Sequence, residues 1–290
     1  SAASHMAGWL APHKDRLRLY VRGPAQSLFA EQLGPVEEHS LNSCMEGANL
    51  LISGSGWGSD LEHNARLIAR AQGIPIVAVL DHWVNYRSRF ERNGHQVLPD
   101  LLWVADPEAK MIAETTFEGI PIEELPNQWL EQITHTVKLE RKRPPQQPAR
   151  RLLYLLEPIR VSWPKQDLID EPGELQALRH WLSKLPRLAN RGWIAPLHKL
   201  EQILLRPHPS ETEDKYMDFI SRSMKHLPIE LDDSPTLAKS LAWTDIAFGC
   251  ETQALVAAVA CGITSFSSIP PWGHKCTLPQ KQLLHIRYLD

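Results

Sequence analysis

The chain has 290 residues, of which 43% are hydrophobic and 22% charged, and its formal net charge is -3. This composition is typical of a globular protein with one or two domains, and so small a net charge gives no general attraction for nucleic acid. The four cysteines fit neither a zinc motif nor a disulfide scaffold, and no apolar run is long enough to span a bilayer. We therefore expect free thiols, no metal, no cofactor and a cytoplasmic location.

The first six residues, SAASHM, look like the remnant of an expression tag and are left out of the fold prediction. From Ala7 onward, strands and helices alternate through the first half of the chain. The strand segments are continuous apolar runs, which is typical of a parallel sheet covered on both faces. The predicted strands are Leu17–Arg22, Asn49–Ser53, Pro75–Leu80 and Leu101–Ala105, and the predicted helices are Pro24–Leu33, Asp60–Gln72 and Glu108–Phe117.

The segment Lys138–Arg150 interrupts this alternation, because it is polar, basic and rich in proline. Such a composition favours a linker between domains. We expect an N-terminal domain over residues 7–137, a linker over 138–150 and a C-terminal domain over 151–290. The basic run is interpreted as a solvated surface, and contact with the inner face of a membrane is the open alternative.

The alternation resumes after the linker and predicts a second parallel sheet. The predicted strands are Leu152–Leu156, Ile203–Leu205, Asp245–Phe248 and Ile263–Phe266, and the predicted helices are Glu174–Leu185, Glu213–Met224, Thr252–Cys261 and Gln280–Ile286. The fold class is therefore α/β, with two Rossmann-like domains that are expected to face each other across a cleft.

Two polar segments follow strands of the second half. In the first, the strand before Gly249 leads directly into a helix, whose unpaired N–H groups and dipole favour a phosphate. Thr252 could add a hydroxyl and Glu251 could accept bonds from a ribose. The alternative is an ordinary helix cap. The predicted nucleotide-binding residues here are Gly249, Cys250, Glu251, Thr252 and Gln253.

The second segment is Arg206-Pro207-His208-Pro209, at the end of a buried strand. The two prolines stiffen the loop, so His208 is held in a defined position. A fixed imidazole there can donate to a phosphate and support a leaving group, with Arg206 and Pro209 beside it. The alternative is a polar loop histidine with no function.

The first half offers a glycine-rich loop and a carboxylate. The loop SGSGWGSD follows a strand and permits close approach of a ligand to the backbone, although it is not a dinucleotide fingerprint. Asp81 follows the strand PIVAVL, at the sheet edge where catalytic groups concentrate, and could act as a general base. A helix cap is the alternative for Asp81. The predicted acceptor or sugar cleft contains Gly54, Ser55, Gly56, Trp57, His82, Trp83 and Asn85.

Three other acidic positions are interpreted as structural. Asp60 and Glu62 are expected to start a helix, and the pair Asp232-Asp233 is expected to lie in a solvated loop because it lacks the DxD spacing of a metal site.

With these segments in place, the chain resembles the GT-B superfamily of glycosyltransferases. The His208-Pro209 pair looks like the HP motif of bacterial sialyltransferases and Kdo transferases, which contacts the phosphate of CMP. The segment GCETQALVAAVACG is similar to the strand and helix that bind the donor in GT-B enzymes. The resemblance implies an inverting, metal-independent enzyme with a CMP-activated acidic sugar as donor, Asp81 as general base and His208 at the leaving phosphate.

We therefore expect a glycosyltransferase of bacterial surface-glycan assembly, whose partners are a nucleotide-sugar donor and a glycan or protein acceptor. Two alternatives stay open. One is a UDP-sugar 2-epimerase or nucleotide-sugar hydrolase of the same fold, and the other is a catalytically silent scaffold.

Overall fold

The computed structural model describes residues 2–35, 39–56, 58–164, 171–212, 214–223 and 227–289. The chain divides between Trp129 and Leu130 into two compact units, which we call the N-terminal and C-terminal units. Each unit contains its own parallel sheet, so the prediction of an α/β fold with two parallel sheets is confirmed.

The main sheet of the N-terminal unit has four parallel strands in the order β1-β2-β5-β6, and β3 and β4 form a separate antiparallel pair. The strands are β1 (Leu51–Ser53), β2 (Ile76–Val79), β3 (Glu91–Arg92), β4 (His95–Gln96), β5 (Leu101–Val104) and β6 (Ile122–Glu124). The helices are α1 (Ala2–Leu10), α2 (Ala25–Leu33), α3 (Leu41–Met45), α4 (Leu61–Ala71) and α5 (Pro107–Thr116), with 3₁₀ helices at Ala11–Arg16 and Arg87–Phe90. Helix α6 (Gln128–Glu140) begins at the end of this unit, and most of its residues belong to the C-terminal unit.

Local sequence explains why α4 and α5 lie where they do. Helix α4 buries Ala65 and Ala69, and the chain turns after it at Gly73, whose φ of 69° is readily adopted only by glycine. Helix α5 has Pro107 in its first turn, and the Asp106 carboxylate accepts the Ala109 N–H at 2.6 Å. Both helices match the predicted ones to within one residue at the start.

The start of the chain differs from the prediction in two ways. Leu17–Arg22 forms no strand and runs as an irregular segment. The first residues, which were set aside, instead form helix α1, in which Ala2 and Ala7 are buried. The Trp9 indole N–H donates to the Pro126 carbonyl at 2.8 Å and ties this helix to the end of the unit.

The C-terminal unit has six parallel strands in the order β12-β11-β10-β7-β8-β9. The strands are β7 (Arg151–Leu155), β8 (Gln202–Arg206), β9 (Ile229–Leu231), β10 (Ile246–Gly249), β11 (Thr264–Ser267) and β12 (Leu284–His285). The helices are α7 (Gly173–Asn190), α8 (Asp214–Ser223), α9 (Leu237–Trp243) and α10 (Gln253–Ala260), with 3₁₀ helices at Leu197–Lys199 and Ile286–Tyr288. Glu213 and Met224, the ends of one predicted helix, lie outside the described residues.

The core of this unit lies between the central strands and the long helix α7. The Trp181 ring packs between Tyr154 and Phe248, with centroid distances of 4.8 and 5.2 Å, and all three side chains are buried. Aromatic contacts of this kind hold the sheet rigid beneath the loops at its carboxyl edge.

One segment of the C-terminal unit differs from its predicted structure. The predicted closing helix Gln280–Ile286 is wrong, because Leu284 and His285 pair with β11 as an edge strand. Residues of the predicted linker contact the unit directly, since Asp245 accepts backbone N–H groups from Gln146 and Arg150 at 3.1 Å. Among the described residues, no helix is both long enough and apolar enough to cross a membrane.

Candidate functional site

Asp81 lies just beyond the carboxyl end of β2, as predicted. Its side chain is 16% exposed and stands 3.6 Å from the guanidinium of the buried Arg89. Its other oxygen accepts the backbone N–H of Ala2 at 2.8 Å. The carboxylate is thus held by one cation while its second oxygen receives a hydrogen-bond donor.

The glycine-rich loop beside Asp81 is held by arginines. The carbonyls of three consecutive loop residues each accept from a different guanidinium at 2.8–3.2 Å. The pairs are Arg66 with Gly54, Arg89 with Ser55 and Arg92 with Gly56. Arg66 and Arg89 are almost fully buried, and burial lowers the pKa of Arg66 to about 10. The backbone of residues 54–56 is therefore fixed by charged groups of the protein itself.

Two glycines of this loop make room for Glu62. A Cβ atom at Gly54 would lie 2.5 Å from one oxygen of the Glu62 carboxylate, and a Cβ atom at Gly56 would lie 3.0 Å from the other. The Gly56 N–H donates to the same carboxylate at 3.1 Å. Glu62 stands in the first turn of α4, as predicted for a helix-start residue, but its side chain turns back onto the loop.

Burial raises the pKa of Glu62, although Arg66 and the Gly56 N–H oppose this shift. The charge of Asp81 contributes to the same increase, so the two carboxyl groups are close enough to interact. A pair of carboxyl groups in different environments can divide acid and base roles between them. The edge of the N-terminal sheet therefore holds two candidate proton-transfer groups.

The other predicted cleft residues have varied surroundings. Ser55 is fully buried and donates to the Val79 carbonyl, and Trp83 is buried with its indole N–H on Asp106 at 2.9 Å. His82 is exposed, with its ring edge-on to Trp83. Asn85 is exposed and has a φ of 60°. Trp57 lies outside the described residues.

In the C-terminal unit, the predicted nucleotide-binding residues follow β8 and β10, which flank β7 in the sheet. His208 is partly buried, and its Nδ1 is 2.8 Å from the Ser210 hydroxyl and accepts the Ser210 N–H at 3.2 Å. Because both contacts use Nδ1, Nε2 is the ring nitrogen left to contact a ligand. Pro209 is exposed beside it.

Arg206 contacts protein groups in this structure. Its Nη1 donates to Asp232 at 2.7 Å, to Ser240 at 2.9 Å and to the Ser234 carbonyl at 3.0 Å. The expectation that Asp232 lies in a solvated loop is wrong, because its side chain is 0% exposed. The buried carboxylate fixes the arginine at the strand end, so His208 is the more available hydrogen-bonding group there.

The start of α10 is also already hydrogen-bonded within the protein. The Thr252 hydroxyl accepts the Ala254 N–H at 3.3 Å as a helix cap. The Glu251 carboxylate accepts from the His274 ring at 2.7 Å and from the Thr277 N–H at 3.0 Å. Gln253 is the first residue of the helix and is partly buried.

Two residues before this helix serve packing. A Cβ atom at Gly249 would lie 2.9 Å from the Leu155 carbonyl, so the close approach of β7 requires glycine there. The Cys250 side chain is 2% exposed, and burial raises the pKa of its thiol well above the ordinary range. Its Sγ lies 3.8 Å from the Ser268 hydroxyl.

Glu157 also lies at the carboxyl edge of the C-terminal sheet, and it is not among the predicted site residues. It follows β7, between the loops that carry His208 and Glu251, and its carboxylate accepts the Glu251 N–H at 2.9 Å. Burial is the main cause that raises its pKa to about 7, and the nearby charges of Glu251 and Glu174 add to the shift. The signal for this residue was available in the sequence, since a glutamate directly follows the buried run LLYLL.

Within the described part of the chain, no group of three or more His, Cys, Asp or Glu side chains is arranged to hold a metal ion. The charged groups of the N-terminal edge were missed for a different reason. Arg66 and Arg89 contact the loop from positions 10 or more residues away, and such pairings follow only from the folded chain.

No protein-family model and no curated protein matches the chain. Among solved structures it resembles the UDP-GlcNAc 2-epimerase from Methanocaldococcus jannaschii, with a TM-score of 0.46 and 11% identity over 78% of this chain and 64% of that chain. It also resembles a candidate UDP-N-acetylglucosamine 2-epimerase from Listeria monocytogenes, with a TM-score of 0.48 and 12% identity over 91% and 75%. This chain thus spans less than two thirds of the length of the first enzyme. Because both TM-scores are below 0.5, neither similarity assigns a function to this chain.

Proposed function

We propose that the protein is an enzyme of the GT-B type that transfers a sugar from a nucleotide donor to a hydroxyl group, with Asp81 as general base. The observation that carries the proposal is the position of Asp81 at the carboxyl edge of a parallel sheet, held by Arg89. The Asp81 oxygen that does not face Arg89 accepts the Ala2 N–H at 2.8 Å, which is the distance at which an acceptor hydroxyl would donate.

In this reaction the acceptor oxygen attacks the anomeric carbon while its proton passes to Asp81. The bond between the anomeric carbon and the phosphate oxygen breaks, and the nucleotide leaves with the electron pair. Because attack and departure occur on opposite faces of the sugar, the configuration inverts. General-base assistance of this kind contributes roughly 100- to 10,000-fold in rate.

On the nucleotide side, His208 is the group best placed to donate to the leaving phosphate. Its Nδ1 is engaged by Ser210, which orients the ring, and Arg206 is engaged by Asp232. The carboxyl groups of Glu157 and Glu251 lie at the same edge and suit hydroxyl groups of a ribose better than a second phosphate. A nucleoside monophosphate such as CMP, with its single phosphate, is therefore the favoured leaving group.

The binding half of the proposal is tested by calorimetric titration with CMP, UDP, GDP and ADP. We expect CMP to bind most tightly and His208→Ala to weaken it about tenfold or more, since a hydrogen bond to a charged group is lost. His198→Ala is the matched control, because His198 is exposed on a 3₁₀ helix of the same unit. Equal affinity in both variants would contradict the role of His208, and no binding of any nucleotide would favour the silent scaffold.

A second candidate is a UDP-sugar 2-epimerase or nucleotide-sugar hydrolase. The observation that favours it is the interaction between Glu62 and Asp81, because epimerisation needs more than one proton-transfer group. Such an enzyme would turn over the donor without an acceptor. Release of nucleotide from UDP-GlcNAc, or its conversion to the C2 epimer, in the absence of any acceptor would select this candidate over transfer.

A further inference from the structure

The N-terminal unit contains a cavity of about 340 Å³ that lies along β1, the edge strand of its sheet. This volume is within the range of small-molecule sites. The segment Leu17–Arg22, which was predicted to be a strand, lines the opposite wall. The cavity therefore occupies the space next to the open edge of the sheet.

The two ends of the cavity differ in chemistry. At the carboxyl end of β1 it is lined by Ser53, Gly54 and Glu62, which belong to the arginine-held loop and the start of α4. Elsewhere the lining is mixed: it includes apolar side chains such as Leu19, Phe29, Met45 and Leu51, and also Arg16, Arg18 and Arg22. A ligand with hydrogen-bond donors at the Glu62 end and apolar surface against the leucines, Phe29 and Met45 would complement this lining.

Glu62 is the chemical centre of the polar end. Its carboxylate is fixed by the Gly56 N–H and by the fit against Gly54 and Gly56, so its position is defined before a ligand arrives. A carboxylate accepts hydrogen bonds from hydroxyl groups, and vicinal hydroxyls of a sugar present two donors. The raised pKa of Glu62 follows from the same partial burial.

We propose that this cavity is the acceptor site, that Glu62 binds hydroxyl groups of a sugar there, and that the apolar wall binds a hydrophobic group attached to that sugar. The inference rests on the proposed function, since it names the acceptor class as a glycoside with an apolar aglycone. It assigns to Glu62 a binding role beside the proton-accepting role of Asp81.

The test uses octyl β-D-glucopyranoside below its micelle concentration, with glucose and octanol as single-feature probes. We expect saturable binding of the glycoside to the wild type and weaker binding of either single-feature probe. Glu62→Gln keeps the shape and removes the charge, so affinity should fall about tenfold or more. Equal affinity in this variant, or no saturable binding by the wild type, would overturn the proposal.

Two glycines of the loop provide a matched pair of variants. Gly54→Ala places a Cβ atom 2.5 Å from the Glu62 carboxylate and should weaken binding as Glu62→Gln does. Gly58→Ala meets nothing within 4 Å and should bind as the wild type does. Equal affinity of both variants for the glycoside would contradict a role for the position of the Glu62 side chain in binding. Circular dichroism checks that both variants are folded.

Cys44 reports where the ligand binds, because it lines the cavity. At ten times the dissociation constant the glycoside should slow its alkylation by iodoacetamide about tenfold. Cys261, in the C-terminal unit, is the internal reference and should keep its rate. Protection of Cys44 in the absence of nucleotide would support the cavity as a glycoside site even if the protein turns over no nucleotide-sugar. The glycoside site and the proposed transferase activity are therefore tested independently. Binding without protection would overturn the assignment.

Discussion

The unusual ionisation of Glu157 makes the stability of the protein depend on pH in a defined direction. Its pKa rises from 4.5 to about 7 on folding, mainly because the carboxyl group is buried. The folded state therefore binds a proton that the unfolded state has already released. This contribution to stability is fully present below the unfolded pKa and is lost as the pH rises through the folded pKa.

The size of the effect follows from the shift. Each pKa unit corresponds to about 1.4 kcal/mol, so between pH 5 and pH 9 Glu157 removes roughly 2 to 3 kcal/mol from the free energy of unfolding. Glu157→Gln retains an oxygen that accepts the Glu251 N–H and cannot ionise. The free energy of unfolding of the variant, relative to that of the wild type, should therefore increase by about 2 to 3 kcal/mol from pH 5 to pH 9.

The assay is urea unfolding, followed by fluorescence of the 10 tryptophans, at pH 5, 7 and 9. Comparing variants at each pH cancels the titration of the histidines. Glu140→Gln, which removes an exposed carboxylate of the same unit, should show no comparable change with pH. A constant difference between Glu157→Gln and wild type across the pH range would refute the buried, protonated carboxyl.

Three further predictions follow from individual contacts. Asp232→Asn should lower the free energy of unfolding by about 3 kcal/mol in urea titrations, since it leaves Arg206 without its buried partner, and a loss below 1 kcal/mol would contradict this. Asp245→Ala should speed amide hydrogen exchange at Gln146 and Arg150, whose N–H groups it binds, with Asp233→Ala as the exposed control. Ala2→Pro, which removes only the N–H that occupies an Asp81 oxygen, should raise acceptor turnover about tenfold, and an unchanged rate would show that this contact does not compete with the acceptor.

Strand and helix boundaries were predictable wherever the apolar pattern was unambiguous. The strand Pro75–Leu80 and the helix Asp60–Gln72 were placed to within about two residues, and the position of Asp81 followed directly. The prediction of a strand over Leu17–Arg22 was wrong. A strand needs a partner strand, and a cavity lies between this segment and β1. The prediction of a helix over Gln280–Ile286 was wrong, because Leu284 and His285 pair with β11 despite the helical spacing of the apolar residues in this segment.

The site was less predictable, because its hydrogen-bond partners are distant in the sequence. Glycines at positions 54 and 56 suggested close approach of a ligand, whereas in the structure they make room for Glu62. Arg206 and Asp232 were considered separately, and only the folded sheet brings them together. Propensity and spacing place a residue at a strand end, but they do not say which neighbour fills its hydrogen bonds.

The role of Asp81 as general base is measured by the release of free nucleotide from CMP- and UDP-activated sugars, with and without a glycoside acceptor. We expect acceptor-dependent release of nucleotide by the wild type, and a rate lower by roughly 100- to 10,000-fold in Asp81→Asn. Equal rates for wild type and Asp81→Asn would contradict the assignment of Asp81 as general base.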